Sequence, residues 1–337
     1  MTDTDLPAEV KRGWVKLAVG TASTWRTRRW LLWVWLAPVV AACGSGGTGA
    51  PGDSLFEHDG GASLDVAEGV AVSAGPFQDT DLRSIIYMNP EGEEVTGIIA
   101  YPPEGPTEVG VLVIPGLPES AAQNLEPLAL LACAGATGLA IDPPYVREGR
   151  MADPLTFDLT DRDEHIQFVV EARRAIDVLE EASATRFGVT AVSWGVSIGA
   201  TLSGLEDRID AAALMIGHGG LVERFLPEGE AVGPFANVPE EQREIWVEAM
   251  EPLDAARYVG KSSANILFQN GRTDPFVSPE SAERLHAAAP STTDVIWYDV
   301  GHDVTPEMIA DHFNWLGDQL GLDQSRVGGC VTQMPSS

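Results

Sequence analysis

An α/β fold is predicted, with a mostly parallel central sheet, helices on both faces and a small flap inserted between two late strands. Short apolar runs, each the length of a buried strand, alternate with longer helical stretches, which implies parallel strands joined by crossover helices. Ser193, Asp274 and His302 each stand just past one of these runs, so their loops belong at one edge of such a sheet. The body of the chain is the usual size for one large α/β domain.

Strands 83–88 and 94–101 read as a hairpin or paired edge strands around Asn89-Pro90-Glu91-Gly92. Further strands are expected at 109–114, 137–141, 187–192, 211–216, 264–269 and 294–298, and helices at 123–134, 162–183, 195–204, 279–288 and 306–320. In the 162–183 segment, Val169, Val170, Ala175, Ile176 and Leu179 form an apolar stripe among Glu171, Arg174 and Asp177. About 47 residues separate strand 211–216 from strand 264–269, holding a loop, 219–237, and a polar helix, 239–250. That is enough for a small flap and too little for a lid domain.

Residues 187–192 are an apolar stretch that ends on Ser193, with Gly195, Gly199 and Ala200 behind it. Small residues at that spacing suit a sharp strand-to-helix turn whose helix packs closely on the sheet. A serine at such a turn exposes its hydroxyl to a base, and the N–H of the next residue, Trp194, faces a developing oxyanion. A free hydroxyl is a poor nucleophile, so a base is required. Gly195-Val196-Ser197-Ile198-Gly199 is the literal G-x-S-x-G, whereas Ser193 has Ala191 at the first position. Taking Ser197 as nucleophile would extend the strand through Gly195 and strip the helix start of its small residues. The register favours Ser193, with Ser197 and an ordinary glycine-rich turn as the alternatives.

His302 follows Gly301 on a loop after the strand 294–298, where an imidazole can enter a cleft as general base. Its bland reading is a cap on the next helix. Asp274, after strand 264–269, can hold the imidazole in the productive tautomer, or merely cap a turn before Pro275. Asp299 and Asp303 are nearer His302 in sequence but are worse placed. The order Ser, Asp, His joins the three segments. A second oxyanion donor is expected after Val111-Leu112-Val113-Ile114-Pro115, where Gly116 permits an unusual backbone angle and Leu117 supplies an N–H that Pro118 cannot. Tyr145, after Asp142-Pro143-Pro144, and His218, in Gly217-His218-Gly219-Gly220, are candidate pocket residues.

On these segments the sequence resembles the α/β-hydrolase superfamily over about residues 80–322, and within it the dienelactone-hydrolase and acetyl-esterase-like branch. The resemblance implies the α/β-hydrolase fold and carries the family's nucleophile, acid and base onto Ser193, Asp274 and His302. It departs at Pro115-Gly116, where relatives commonly have His-Gly before the oxyanion residue. Family substrates include esters, thioesters, amides and lactones, so the resemblance does not select one.

Lys11, Arg12, Lys16, Arg26, Arg28 and Arg29 precede an apolar run from Trp30 to Ala42, which ends in Val40-Ala41-Ala42-Cys43. Basic, then apolar, then small residues is the order of a secretory signal. The cysteine after Ala41-Ala42 resembles a bacterial lipobox, with Cys43 as the lipidated first residue. A non-cleaved anchor helix is the alternative. Gly44 to Gly52 reads as a flexible tether. The expected organisation is therefore a signal peptide at 1–42, a lipidated cysteine and tether at 43–55, a hydrolase domain at 56–322 and a tail at 323–337, in an extracytoplasmic lipoprotein held to the membrane through Cys43.

The first 42 residues hold six of the 21 basic and three of the 50 acidic side chains, leaving roughly 47 acidic against 15 basic. Such a surface argues against nucleic acid and against direct binding to anionic lipid. Cys133 and Cys330 remain, either bridged or free. No Cys/His spacing indicates a metal site and no glycine-rich phosphate loop is present, so no cofactor is expected. The expected activity is serine-dependent hydrolysis of small or short-chain carboxylic esters through an acyl-enzyme. A peptidase, amidase or lactonase of the same fold is the alternative, and a non-catalytic surface-binding lipoprotein is a third reading.

Overall fold

The computed structural model describes residues 53–72 and 80–333 of the chain. Cys43, the signal segment and most of the tether lie outside the described residues. Nine strands form one sheet: β1 (Ala67–Val72), β2 (Asp81–Met88), β3 (Glu94–Tyr101), β4 (Val109–Ile114), β5 (Thr137–Ile141), β6 (Arg186–Val192), β7 (Ile209–Met215), β8 (Asn265–Gly271) and β9 (Thr293–Tyr298). The helices are α1 (Leu125–Ala134), α2 (Pro144–Arg147), α3 (Leu159–Glu181), α4 (Gly195–Ser203), α5 (Leu221–Phe225), α6 (Glu240–Met250), α7 (Pro279–Ala288), α8 (Pro306–Gln319) and α9 (Gln324–Val331).

The strand order is β1-β2-β3-β5-β4-β6-β7-β8-β9. β1, β2 and β3 pair antiparallel, β3 is antiparallel to β5, and every pairing from β5 through β9 is parallel. Ile114 pairs with Ala191, Val192 with Met215 and Met215 with Gln269, so these strands finish nearly level. That register delivers the loops after β4, β6, β7 and β8 to one edge. Every residue of β4 is buried, because alternate side chains feed two cores. Leu112 and Ile114 join the core under α3, α4 and α7, whereas Val109, Val111 and Val113 join the one under α1, α8 and α9.

The strands and long helices lie where the apolar patterning puts them, within a few residues at their ends. Four elements were not foreseen: the short helices α2 and α5, the second inside the expected loop 219–237, and also β1 and α9. β1 is exposed along most of its length and so carries no buried alternation to read. The expected tail contains α9, whose N-cap Asp323 accepts from the N–H groups of Ser325 and Arg326. α9 is held down by a Cys133–Cys330 disulfide, by buried Val327, and by the Arg326 guanidinium on the Cys133 carbonyl and on Glu104. The cysteine pairing left open by the sequence is therefore a bridge from α1 to α9.

The insertion between β7 and β8 is a pinned cap. Phe157, Phe225, Phe235 and Trp246 pack ring against ring, with Trp246 centred 4.8 Å from Phe235 and 5.6 Å from Phe157. The Trp246 indole N–H donates to Asp161 Oδ2 at 2.8 Å, and the same carboxylate accepts from the N–H groups of Thr156 and Phe157. Burial raises the Asp161 pKa, and these donors oppose the rise. Outward, α6 shows Glu240, Glu241 and Glu244 to solvent. Replacing Trp246 by alanine removes a fully buried ring and one of the donors that satisfy Asp161. Urea unfolding of Trp246→Ala is expected to give a loss of about 3–5 kcal/mol, with Trp246→Phe losing less.

Candidate active site

Ser193 sits between β6 and α4 with φ +55°, in the left-handed region that side chains other than glycine seldom adopt. Its neighbours fix it there. The Ser193 N–H donates to the Met215 carbonyl at 2.9 Å, fastening the turn to β7. At Gly195 an added Cβ would stand 2.5 Å from the Pro115 carbonyl oxygen and 2.7 Å from that of Ile114, so only glycine lets the start of α4 approach β4 this closely. Gly199 packs against Ala191 in the same way, with 3.1 Å available to a Cβ, which explains the small residue two places before the serine.

Ser197, in contrast, is buried within α4 and donates to the Trp194 carbonyl at 2.8 Å. Its hydroxyl is thereby spent on a carbonyl of its own helix start.

The loops after β8 and β9 converge on Ser193. Ser193 Oγ lies 2.9 Å from His302 Nε2, and His302 Nδ1 lies 2.7 Å from Asp274 Oδ2. With the proton on Nδ1 donated to the carboxylate, Nε2 is the acceptor for the Ser193 hydroxyl. Burial pushes the Asp274 carboxyl up. The His302 hydrogen bond and the N–H groups of Phe276 (2.7 Å) and Val277 (3.0 Å) outweigh it, and the net shift is downward. The Asp274 and His302 loops are themselves joined, since Arg272 N–H donates to the Tyr298 carbonyl and Thr273 N–H to that of Val300. Asp299 is exposed and engaged by Arg272, away from the imidazole.

On the other side of Ser193, the main-chain N–H groups of Leu117 and Trp194 donate to no protein acceptor among the described residues. Gly116 is not in the left-handed region, which corrects the expectation of an unusual angle there. Its smallness serves proximity instead, a Cβ at this position having 3.3 Å to the Val192 carbonyl. The turn is braced by Glu119, which takes the Gly116 N–H on its carboxylate while its own N–H returns to the Gly116 carbonyl. Asp142 supports the following residues through the Ala121 N–H and the Thr96 hydroxyl.

Tyr145 is buried and donates to the Glu119 carbonyl at 2.8 Å. Its ring meets Trp194 edge-on at 5.9 Å, and Trp194 stacks on Phe168 at 5.7 Å. Leu117, Tyr145, His165, Trp194 and Leu221 line a void of about 10 Å³ here, the size of one water. A second, apolar recess of about 120 Å³ runs between α1 and α8, past Val192 and Val304. His218 is buried beside the site, and burial together with the Arg224 charge lowers its pKa to about 4, so its ring is neutral.

Two residues that the sequence did not single out complete the surroundings. Phe276, half-exposed, meets the His302 ring edge-on at 5.1 Å. The Arg224 guanidinium lies 5.1 Å from the Phe276 ring centre. Phe276 was within reach as the second residue after Asp274; nothing in the acidic flap sequence marks Arg224.

No family model and no curated sequence matches the chain. Solved structures do. An acetyl xylan esterase from Paenibacillus sp. R4 is 19% identical over 79% of this chain and 92% of its own, with a TM-score of 0.63. Acetyl xylan esterase 1 from Thermoanaerobacterium sp. JW/SL YS485 is 13% identical over 84% and 92%, with a TM-score of 0.58. A cold-adapted esterase from an Arctic intertidal metagenomic library is 18% identical over 75% and 97%, with a TM-score of 0.54. At these identities the likeness is one of fold, and the fold is the α/β-hydrolase fold.

A fluorophosphonate, which reacts readily with an activated serine, is expected to label wild type and Ser197→Ala and to leave Ser193→Ala unlabelled. Full loss of labelling in a folded Ser197→Ala protein would move the nucleophile to the helix.

Proposed function

We propose that this α/β-hydrolase-fold protein is a serine-dependent hydrolase of carboxylic esters with small acyl groups. The observation that carries the reading is the unbroken chain Ser193 Oγ, His302 Nε2, His302 Nδ1, Asp274 Oδ2, at 2.9 and 2.7 Å, ending on a serine of positive φ. Ser193 Oγ attacks the ester carbonyl while His302 Nε2 takes its proton. The carbonyl oxygen becomes an oxyanion and accepts from the N–H groups of Leu117 and Trp194. Collapse breaks the bond to the alcohol, which leaves with the proton from His302. Water then attacks the acyl-enzyme, giving its proton to His302, and Ser193 is regenerated as the acid departs. Asp274 keeps the imidazole in the required tautomer throughout.

The void under Trp194 and Tyr145 has room for about one water-sized group and none for a long acyl chain. Even the larger recess, at about 120 Å³, is well below the ~300 Å³ at which pockets begin to enclose a drug-sized ligand. The cap offers long chains little apolar surface, since its outward helix carries glutamates. Two of the structural neighbours bear the name acetyl xylan esterase, in keeping with a short acyl group. We expect kcat/KM to fall in the order p-nitrophenyl acetate, butyrate, palmitate, and a clear preference for palmitate would defeat the small-acyl reading.

The same reading gives the protein an extracytoplasmic address on a lipid anchor at Cys43. The Cys133–Cys330 bridge supports it, because disulfides persist in oxidising compartments. Mass spectrometry of the mature N-terminus from a bacterial host is expected to find a diacylglyceryl group on Cys43. An intact N-terminus, or cleavage elsewhere, would reject the anchor.

A further inference from the structure

We infer that Arg224 selects esters whose leaving alcohol carries a carboxylate. The inference rests on the hydrolase reading and extends it to the half of the substrate that the reading leaves open.

The order of the strands gives the site two sides. Leu117, after β4, and Tyr145, after β5, lie to one side of Ser193, and with Trp194 and Leu221 they line the water-sized void. Arg224, after β7, and Phe276, after β8, lie to the other, with His302 after β9. A carbonyl whose oxygen points at Leu117 and Trp194 is set for attack by Ser193. The alcohol is then left toward His302, which must protonate it, and toward whatever stands beside His302.

What stands there is a cation without an anion. The Arg224 guanidinium is half-buried, 5.1 Å from the ring centres of both Phe225 and Phe276, and Phe276 in turn touches the His302 ring. The neighbouring carboxylates are committed elsewhere. Asp274 serves His302 and the N–H groups of Phe276 and Val277. Glu223 and Asp254 both close on Arg284. Among the described residues no carboxylate lies within ion-pair distance of Arg224. Desolvation lowers the Arg224 pKa, the more distant Asp274 charge opposing it. His218 alongside is buried, and its Nδ1 has no hydrogen-bond partner.

In a chain of net charge −29, surface arginines are readily consumed by acidic neighbours. One held on two aromatic faces, and passed over by every carboxylate around it, presents a free planar fork to an incoming group. That fork matches a carboxylate in two parallel hydrogen bonds. The acid on the alcohol takes no part in the bond changes: water adds across the ester, the acyl carboxylate forms and the hydroxy acid leaves with the His302 proton.

The test compares 4-acetoxybenzoate with its neutral carboxamide, which differ in charge at the far end of the leaving group. Wild type is expected to favour the carboxylate in kcat/KM by about tenfold or more, the worth of one good charged hydrogen bond. In Arg224→Met the ratio should collapse towards one, in Arg224→Lys it should fall part-way, and salt should erode it in wild type. A second arm needs no turnover: calorimetry on Ser193→Ala should show 4-hydroxybenzoate binding more tightly than 4-hydroxybenzamide, with the difference lost in Ser193→Ala/Arg224→Met. A wild-type ratio near one, or an Arg224→Met change that lowers both esters alike, overturns the inference. Should neither ester be hydrolysed, the hydrolase reading fails, and the calorimetric difference alone decides whether Arg224 is an anion site.

Discussion

A serine held in the left-handed region costs of order 1–3 kcal/mol, and much of the molecule is arranged so that Ser193 cannot relax out of it. The turn is caught between β6, which leads into it, and α4, which leads out. α4 can lie so near β4 only because position 195 has no side chain to strike the carbonyls of Ile114 and Pro115. The Met215 carbonyl holds the turn from the third side. Parallel pairing then supplies the rest, since strands that end level bring the Asp274 and His302 loops within hydrogen-bond reach of a hydroxyl that has no other partner among the described side chains. Loosening any of these contacts would let the serine move from its base, so the hydrogen-bond chain is a property of the sheet as much as of its three residues.

Much of this was legible in the sequence because it rests on local, periodic signals. The run 187–192, the small residues at 195, 199 and 200, and the apolar stretches before Asp274 and His302 each declare a strand end without reference to anything distant. The placing of Ser193 at the strand end and Ser197 within the helix was legible for the same reason, a matter of strand length and helix packing. β1 was not, because an exposed edge strand has no face to bury and leaves no pattern. Nor was α9, whose two glycines argue against a helix by propensity; tertiary contacts to α1 override them. Arg224 illustrates the hardest case. Its significance lies in which carboxylates fail to reach it, and that can be known only once Arg284 has been seen to take two of them.

Charge in this protein is sorted by depth. The outer faces of the cap helix are acidic, and four carboxylates that turn inward around the cap and the site are given structural work: Asp161 clamps the Trp246 indole, Asp142 and Glu119 shape the turn beside the serine, and Asp274 orients the imidazole. Each is met by main-chain N–H groups or by a ring N–H, the donors that satisfy a buried carboxylate without importing a second long charged side chain. The turn at Pro115-Gly116 is closed by Glu119, which accepts the Gly116 N–H.

The bridge between Cys133 and Cys330 has a topological consequence. It closes a covalent ring across 197 residues of sequence, and Ser193, Asp274 and His302 all lie on that ring. A protease that cuts once in an exposed stretch of the cap, such as residues 236–241, opens the ring without dividing it. The two new ends remain parts of one molecule, and the serine on one arm stays tied to the acid and the base on the other. A single nick is thereby converted from a scission into a change of chain connectivity.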